Sequence, residues 1–235
     1  MHDDLARRTT AEALGTALLV AVVVGSGISA QRLSPHDTGL QLLENSIATG
    51  AALVALILAL GPISGAHFNP AVTIAERVLG GTTTRDASLY IAAQIVGACL
   101  GAMIANLMFD LPAVDISTQT RSSSGLWLGE LVATFGLLIV ILGVVRAGRA
   151  GLAAFAVGGY ITAAYWFTSS TSFANPAVTI GRTLTDTFAG IAPSSAPAFI
   201  AAQAVGGLLA VALARYLHPN LPASEVVIPH EPARG

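Results

Sequence analysis

Two nearly identical peptides, AHFNPAVTIAER at residues 66–77 and TSFANPAVTIGR at residues 171–182, set Asn-Pro-Ala in the same surroundings twice. An Asn side chain is a strong helix N-cap, and Pro is favoured at the first helical position. Asn69-Pro70-Ala71 and Asn175-Pro176-Ala177 therefore each read as the start of a helix. A helix start carries roughly half a positive charge, and the Asn amide adds N–H donors. The chemistry on offer is to hold acceptor oxygens and repel cations, not to make or break bonds. No nucleophile–base constellation and no metal-ligand spacing is visible elsewhere in the chain, so no enzyme activity, metal or cofactor is expected. Cys99 is the single cysteine; it reads as a small packing residue and excludes a disulfide framework.

Elements suited to carry these peptides follow from composition. With 54% hydrophobic and 10% charged residues, the chain lies far from soluble domains, where roughly a quarter of residues are charged. Apolar runs at about 9–30, 40–61, 87–109, 126–145, 152–168 and 196–217 each approach the ~20 residues that cross a bilayer as helix. Six spans leave no room for a soluble catalytic domain. Arg7 and Arg8 ahead of the first run imitate a signal peptide, but that run has an internal copy. If the spans alternate, Arg7, Arg8, Arg77, Arg85, Arg146, Arg149, Arg215 and Arg234 fall on one side, against Arg32, Arg121 and Arg182 on the other. The excess places both termini in the cytoplasm, in a multi-pass protein of the cytoplasmic membrane. A net charge of −2 without a lysine-rich run excludes nucleic acid as a partner.

The chain is one unit written twice. EALGTALLV at 12–20 returns as ELVATFGLLIV at 130–140, aligning Glu12 with Glu130 and Thr16 with Thr134. YIAAQIVGACLGA at 90–102 returns as FIAAQAVGGLLA at 199–210, with an Asn-Pro-Ala between the markers each time. The repeat halves are about 9–109 and 126–217, joined by a linker at 110–125 and followed by a cytoplasmic tail at 218–235, all within a single transmembrane domain covering 1–235. Three spans per half is odd, so the second half inserts upside down relative to the first.

GPISGAHF at 61–68 and TSSTSF at 168–173 are unsuited to face lipid, because their backbone groups need protein or water as partners. They are expected to be re-entrant loops lining a cavity. The apolar stretches after them, 71–79 and 177–184, are too short to span and read as half-helices. Inverted symmetry lets their N-termini meet near the midplane. The predicted fold is all-α: six transmembrane helices plus two re-entrant half-helices in an inverted repeat. Such a constriction favours neutral molecules with acceptor oxygens and disfavours cations, protons included.

At these residues the chain resembles the aquaporin and aquaglyceroporin family, the major intrinsic proteins, from about Ala11 to Tyr216. The resemblance rests on SGAHFNPAVT, ANPAVT, Glu12 with Glu130, and Gln94 with Gln203. It implies a homotetramer of passive channels in membrane lipid, one pore per subunit, with Asn69 and Asn175 at pore centre. It also implies pore-lining loops at Gly65, Ala66, His67 and at Phe173, Ala174, and a bracing role for Glu12 and Glu130. Bracing fits the cost of an unpaired carboxylate inside a span; the alternative role, a proton relay, would make the protein a coupled transporter. Glu44 and Asn45 read as wetted residues at a pore mouth, and His67 as a loop-packing or vestibule residue rather than a metal ligand.

One departure bears on selectivity. In the family the second motif is normally followed by an arginine of the outer filter; here Val178 stands in its place. Counting as the family does, without gaps, puts the remaining filter positions at Thr49, Ala163 and Ser172, a small, uncharged ring without an aromatic side chain. Arg182, one helical turn beyond Val178, either supplies the missing charge from nearly the same helix face or snorkels to the interface. The Val and Thr resemble a bacterial branch of the family associated with arsenic detoxification. The expected permeants are glycerol-like polyols, arsenous acid, methylated arsenicals and some water. A mainly water-conducting pore and an inverted-repeat secondary transporter are the alternatives.

Overall fold

The computed structural model describes residues 2–217, with side chains from residue 4; the expected tail at 218–235 lies outside them. The elements are α1 (His2–Leu33), α2 (Thr38–Ser64), α3 (Pro70–Leu79), α4 (Thr84–Met108), α5 (Ser124–Arg146), α6 (Ala153–Phe167), α7 (Pro176–Gly181) and α8 (Ala196–Leu217). Six of these are long and apolar enough to cross a membrane: α1, α2, α4, α5, α6 with the short turn before it, and α8. Side chains that satisfy orphan backbone donors mark the helix starts. Asp37 caps α2 through Leu40 N–H, Thr83 caps α4 through Asp86 N–H, and Ser123 caps α5 through Leu126 N–H.

The two halves pack by the same rule. α1 lies against α4 and α2, and α5 lies against α8 and α6. α2 against α6 joins the halves, and each half-helix reaches across, α3 to α8 and α7 to α4. Close crossings rest on glycine. A Cβ on Gly97 would sit 2.2 Å from the Ala13 carbonyl oxygen of α1, and one on Gly206 would sit 2.3 Å from that of Leu131 in α5. Both glycines stand three residues after the repeated glutamines, Gln94 and Gln203, so the duplication preserved the contact as well as the polar group. Leu100, Val96, Leu128, Phe155 and Leu208 are exposed around the outside, as a helix ring facing lipid requires.

Short connections fix the directions of the helices. α1 begins and α8 ends on one face, called here the termini face; residues 34–37 and 109–123 lie on the opposite face. α3 runs from the middle back to the termini face, and α7 from the middle to the opposite one. α7 is shorter than the sequence suggests: the α-helix stops at Gly181, and Arg182–Leu184 form a 3-10 turn.

Candidate functional site: a cavity between two half-helices

Asn69 and Asn175 cap α3 and α7 in the way their sequence implies. The Asn69 Oδ1 accepts from Ala71 N–H, and the Asn175 Oδ1 from Ala177 and Val178 N–H. Each amide nitrogen then crosses to the other half: Asn69 Nδ2 donates to the Ala174 carbonyl at 2.8 Å, and Asn175 Nδ2 to the Phe68 carbonyl at 2.7 Å. One N–H of each amide remains for the cavity that both asparagines line. Pro70, Pro176, Ala71 and Ala177 are buried in the first turns behind them.

The approach to each cap is a strained backbone. Ala66 (φ 48°) and Phe68 (φ 47°) in the first loop, and Ser172 (φ 51°) and Ala174 (φ 47°) in the second, all occupy the left-handed region without being glycine. Such conformations cost roughly 1–3 kcal/mol each and persist only where surroundings hold them. Here the surroundings are two buried carboxylates. Glu12 accepts from Phe68 N–H at 2.7 Å, His67 N–H at 3.0 Å and Ser64 Oγ at 2.6 Å, and from Gln94 Nε2 at 2.8 Å. Glu130 accepts from Phe173 N–H at 2.8 Å, Ala174 N–H at 2.9 Å and Gln203 Nε2 at 2.5 Å. Both glutamines also donate to a half-helix threonine, Thr73 or Thr179. Every carboxylate oxygen is thus occupied by a donor of the fold.

A cavity runs past these loops. On the termini side its lining includes His67, Val72, Val157 and Ile57; on the other it includes Thr49, Tyr165, Ser172, Val178 and Arg182, with Gly65, Ala66, Phe173 and Ala174 along the loops. His67 Nδ1 lies 3.0 Å from Thr73 Oγ1, and Nε2 lies 3.4 Å from Glu76 Oε2. Among the described residues no cluster of metal-ligating side chains occurs.

Several sequence expectations need correction. Ala163 is exposed on the outer face of α6 and does not line the cavity. Tyr165, two residues on, occupies the wall instead, its hydroxyl 3.1 Å from Thr49 Oγ1, so an aromatic side chain does enter the ring. Gapless counting failed because Thr171, Ser172 and Ala174 all take positive φ, and no helical register survives such a loop. Arg182 does not snorkel: it is 2% exposed and lines the cavity. Its Nε donates to the Ala189 carbonyl and its guanidinium carbon lies 3.4 Å above the Phe173 ring. Glu44 and Asn45 do not line the cavity either; Asn45 is buried and ties α2 to α1 through the Val23 carbonyl and Ser26 Oγ, while Glu44 accepts from Ser34 Oγ.

Comparison with known proteins follows the same lines. Residues 1–170 match the family described as Major intrinsic protein. The chain is 53% identical over 214 residues to aquaglyceroporin AqpS of Rhizobium meliloti, an alignment covering 91% of each protein. It is 34% identical to the probable aquaporin AqpM of Archaeoglobus fulgidus, across 92% of this chain and 99% of that one. Among solved structures, the aquaglyceroporin from Plasmodium falciparum superposes with a TM-score of 0.72 at 24% identity, over 92% of this chain and 98% of the other, which speaks for the fold. The family match stops short of Asn175, but the alignments to the two relatives extend over nine-tenths of the chain. A paired Asn-Pro cavity inside six spans, carried by that much shared sequence, makes the chain a member of the major intrinsic protein family of channels.

Proposed function

We propose that the cavity passes small uncharged solutes down their gradients: glycerol-like polyols, arsenous acid and methylated arsenicals, with some water. The observation that carries this reading is the cavity wall on the side of α7. Val178 contributes only apolar surface, while Ser172 Oγ is buried with no partner among the described residues and the Thr49 and Tyr165 hydroxyls sit nearby. One apolar and one hydroxyl-rich side suit a molecule with a carbon or arsenic skeleton and several hydroxyls. Arsenous acid is neutral at pH 7 and carries three hydroxyls, so donors placed for glycerol serve it too. The likeness to an aquaglyceroporin supports the polyol class. A mainly water-conducting pore is the second reading, favoured by the Tyr165 ring in the wall. The carboxylates a coupled transporter would need are taken up: Glu12 and Glu130 accept three or more donors each.

The arginine excess on the termini face supports an orientation with both termini in the cytoplasm of an inner membrane, and the family supports a homotetramer. Swelling of proteoliposomes with water, glycerol and arsenous acid in parallel tests the function. Wild-type protein is expected to pass all three, and Val178→Arg to lower glycerol and methylated-arsenical flux much more than water flux, because a guanidinium would narrow the wall. Water flux without glycerol or arsenous acid flux would establish the second reading instead.

A further inference from the structure

Arg182 stands four residues after Val178, at the start of the 3-10 turn that follows α7, and both side chains line the cavity. It is built into the wall rather than left at the surface. The Ala189 carbonyl holds Nε, and the centre of the Phe173 ring lies 3.4 Å from the guanidinium carbon. Phe173 is itself fixed, by its N–H on Glu130 and by an edge contact with Phe199 at 5.2 Å between ring centres. The two Nη groups of Arg182 have no hydrogen-bond partner among the described residues, and the side chain borders the cavity.

This cation feels the Glu130 charge at a distance but forms no ion pair among the described residues. Among the described residues, neither Arg182 nor Arg121 has a carboxylate within ion-pair distance. Arg121 lies 5.3 Å from the centre of the same Phe173 ring, tied to the Gly190 and Phe188 carbonyls, and adds a second positive charge behind the wall. Glu130 is spent on Phe173, Ala174 and Gln203. A fixed positive charge in a narrow, weakly polar passage raises the energy of a cation there and leaves a neutral solute with acceptor oxygens unhindered.

We propose that Arg182 is the specificity-determining cation of the pore: its guanidinium, held over the Phe173 ring just beyond α7, excludes protons and other cations and offers Nη–H donors to the oxygens of neutral solutes. The inference rests on reading the cavity as the permeation path. Because the guanidinium lies in the wall, the charge acts without the narrowing that an arginine at Val178 would bring. Selectivity by charge and selectivity by width are thereby carried by different residues.

The test uses full-length protein in proteoliposomes, with proton leak under an imposed potential read by an entrapped pH dye and glycerol flux read by swelling. Arg182→Gln is expected to raise proton leak by about tenfold or more, Arg182→Lys to keep it near wild type, and Val178→Arg combined with Arg182→Gln to restore the barrier. Glycerol flux should persist in Arg182→Gln at about a third of wild type or better, since one donor amide replaces the guanidinium. Arg182→His supplies an internal control within one folded protein: leak should be low at about pH 5.5 and high at about pH 8, as the imidazole loses its charge. Unchanged leak in Arg182→Gln with glycerol flux retained, or a pH-independent leak in Arg182→His, overturns the proposal. Absence of glycerol and water flux in the wild type overturns the functional reading itself, and is distinct from either result.

Discussion

The two re-entrant loops of this protein are the same device, and they end in opposite charges. In the first, His67 stands two residues before its asparagine and Glu76 seven after it; in the second, Phe173 and Arg182 hold those two places. Each pair is in contact, His67 Nε2 at 3.4 Å from Glu76 Oε2 and the Arg182 guanidinium at 3.4 Å from the Phe173 ring. Each loop ring also meets an aromatic from the last span of its half, Tyr90 or Phe199, at nearly the same angle of 70° and 72°. Yet Arg182 lines the cavity and Glu76 does not. The capping and bracing parts of the repeat were kept, while the seventh residue after each asparagine diverged into an acid on the termini side and a base on the other.

If the shared parts are truly equivalent, breaking them should be equally damaging in both halves. The largest effect is expected from Gly97→Ala and Gly206→Ala, whose added Cβ would press on helix backbone at 2.2 and 2.3 Å. Backbone has no rotamer to yield, so each is expected to cost about 3 kcal/mol and to abolish folded protein in size-exclusion profiles. A profile lost for one glycine only would show that the two crossings do different jobs.

Next come the carboxylates. Glu12→Gln and Glu130→Gln each swap an acceptor for a donor facing backbone N–H groups that hold positive-φ residues. A loss of about 1.5–3 kcal/mol is expected, seen as a lower thermal midpoint in detergent and reduced glycerol flux. Neither variant should create dependence on a proton gradient. Gradient-driven flux in the wild type that vanishes in these variants would turn the braces into a relay.

A smaller effect sharpens the comparison at a place where the halves differ in size. Phe68 packs on Gly15, where a Cβ would lie 2.0 Å from the ring; the matching residues of the second half are Ala174 and Ala133. Gly15→Ala is expected to cost about 1–3 kcal/mol, and Gly15→Ala with Phe68→Ala to recover part of it, since the pair then copies the second half. Thermal unfolding of the single and double variants measures the coupling. Smallest of all should be the transport effect of Glu76→Gln. Because Glu76 does not line the cavity, glycerol flux and proton leak are expected to stay within about twofold, whereas Arg182→Gln changes leak strongly. A Glu76→Gln leak as large as that of Arg182→Gln would mean that the charges act as a pair across the pore.

Much of the architecture was legible because its signals are local. Apolar length announced the spans, Gly, Ser and Pro announced loops that lipid cannot solvate, and Asn-Pro announced the helix starts. The pairing of Glu12 with Phe68 N–H and of Glu130 with Ala174 N–H follows from the same logic, since a buried carboxylate must meet donors. What could not be read was position beyond a non-helical loop. Ala163 was placed by counting back through residues 168–175, where the chain turns left-handed three times, and Tyr165 was missed for the same reason. The inward course of Arg182 depends on the Ala189 carbonyl, supplied by a loop whose path no periodicity encodes. One signal was available: laying the halves on each other sets Arg182 against Glu76, and a charge at a repeat-equivalent place in both half-helices is hard to ascribe to snorkelling.

The crossed amides have a consequence for how the protein is made. Asn69 needs the Ala174 carbonyl and Asn175 needs the Phe68 carbonyl, groups separated by more than a hundred residues of chain. During synthesis the first half leaves the ribosome with its constriction open, because the acceptor that closes it has not yet been translated. The constriction can therefore close only once α7 has joined the first half, which makes closure a joint act of both halves. The connection between them supplies neither crossed bond, but it holds the segment after α7 through Asp115 and Ser117 N–H on the Leu184 and Thr183 carbonyls. Two fragments divided within residues 110–123 and expressed together hold every group the crossed bonds require, and each is the other's missing template.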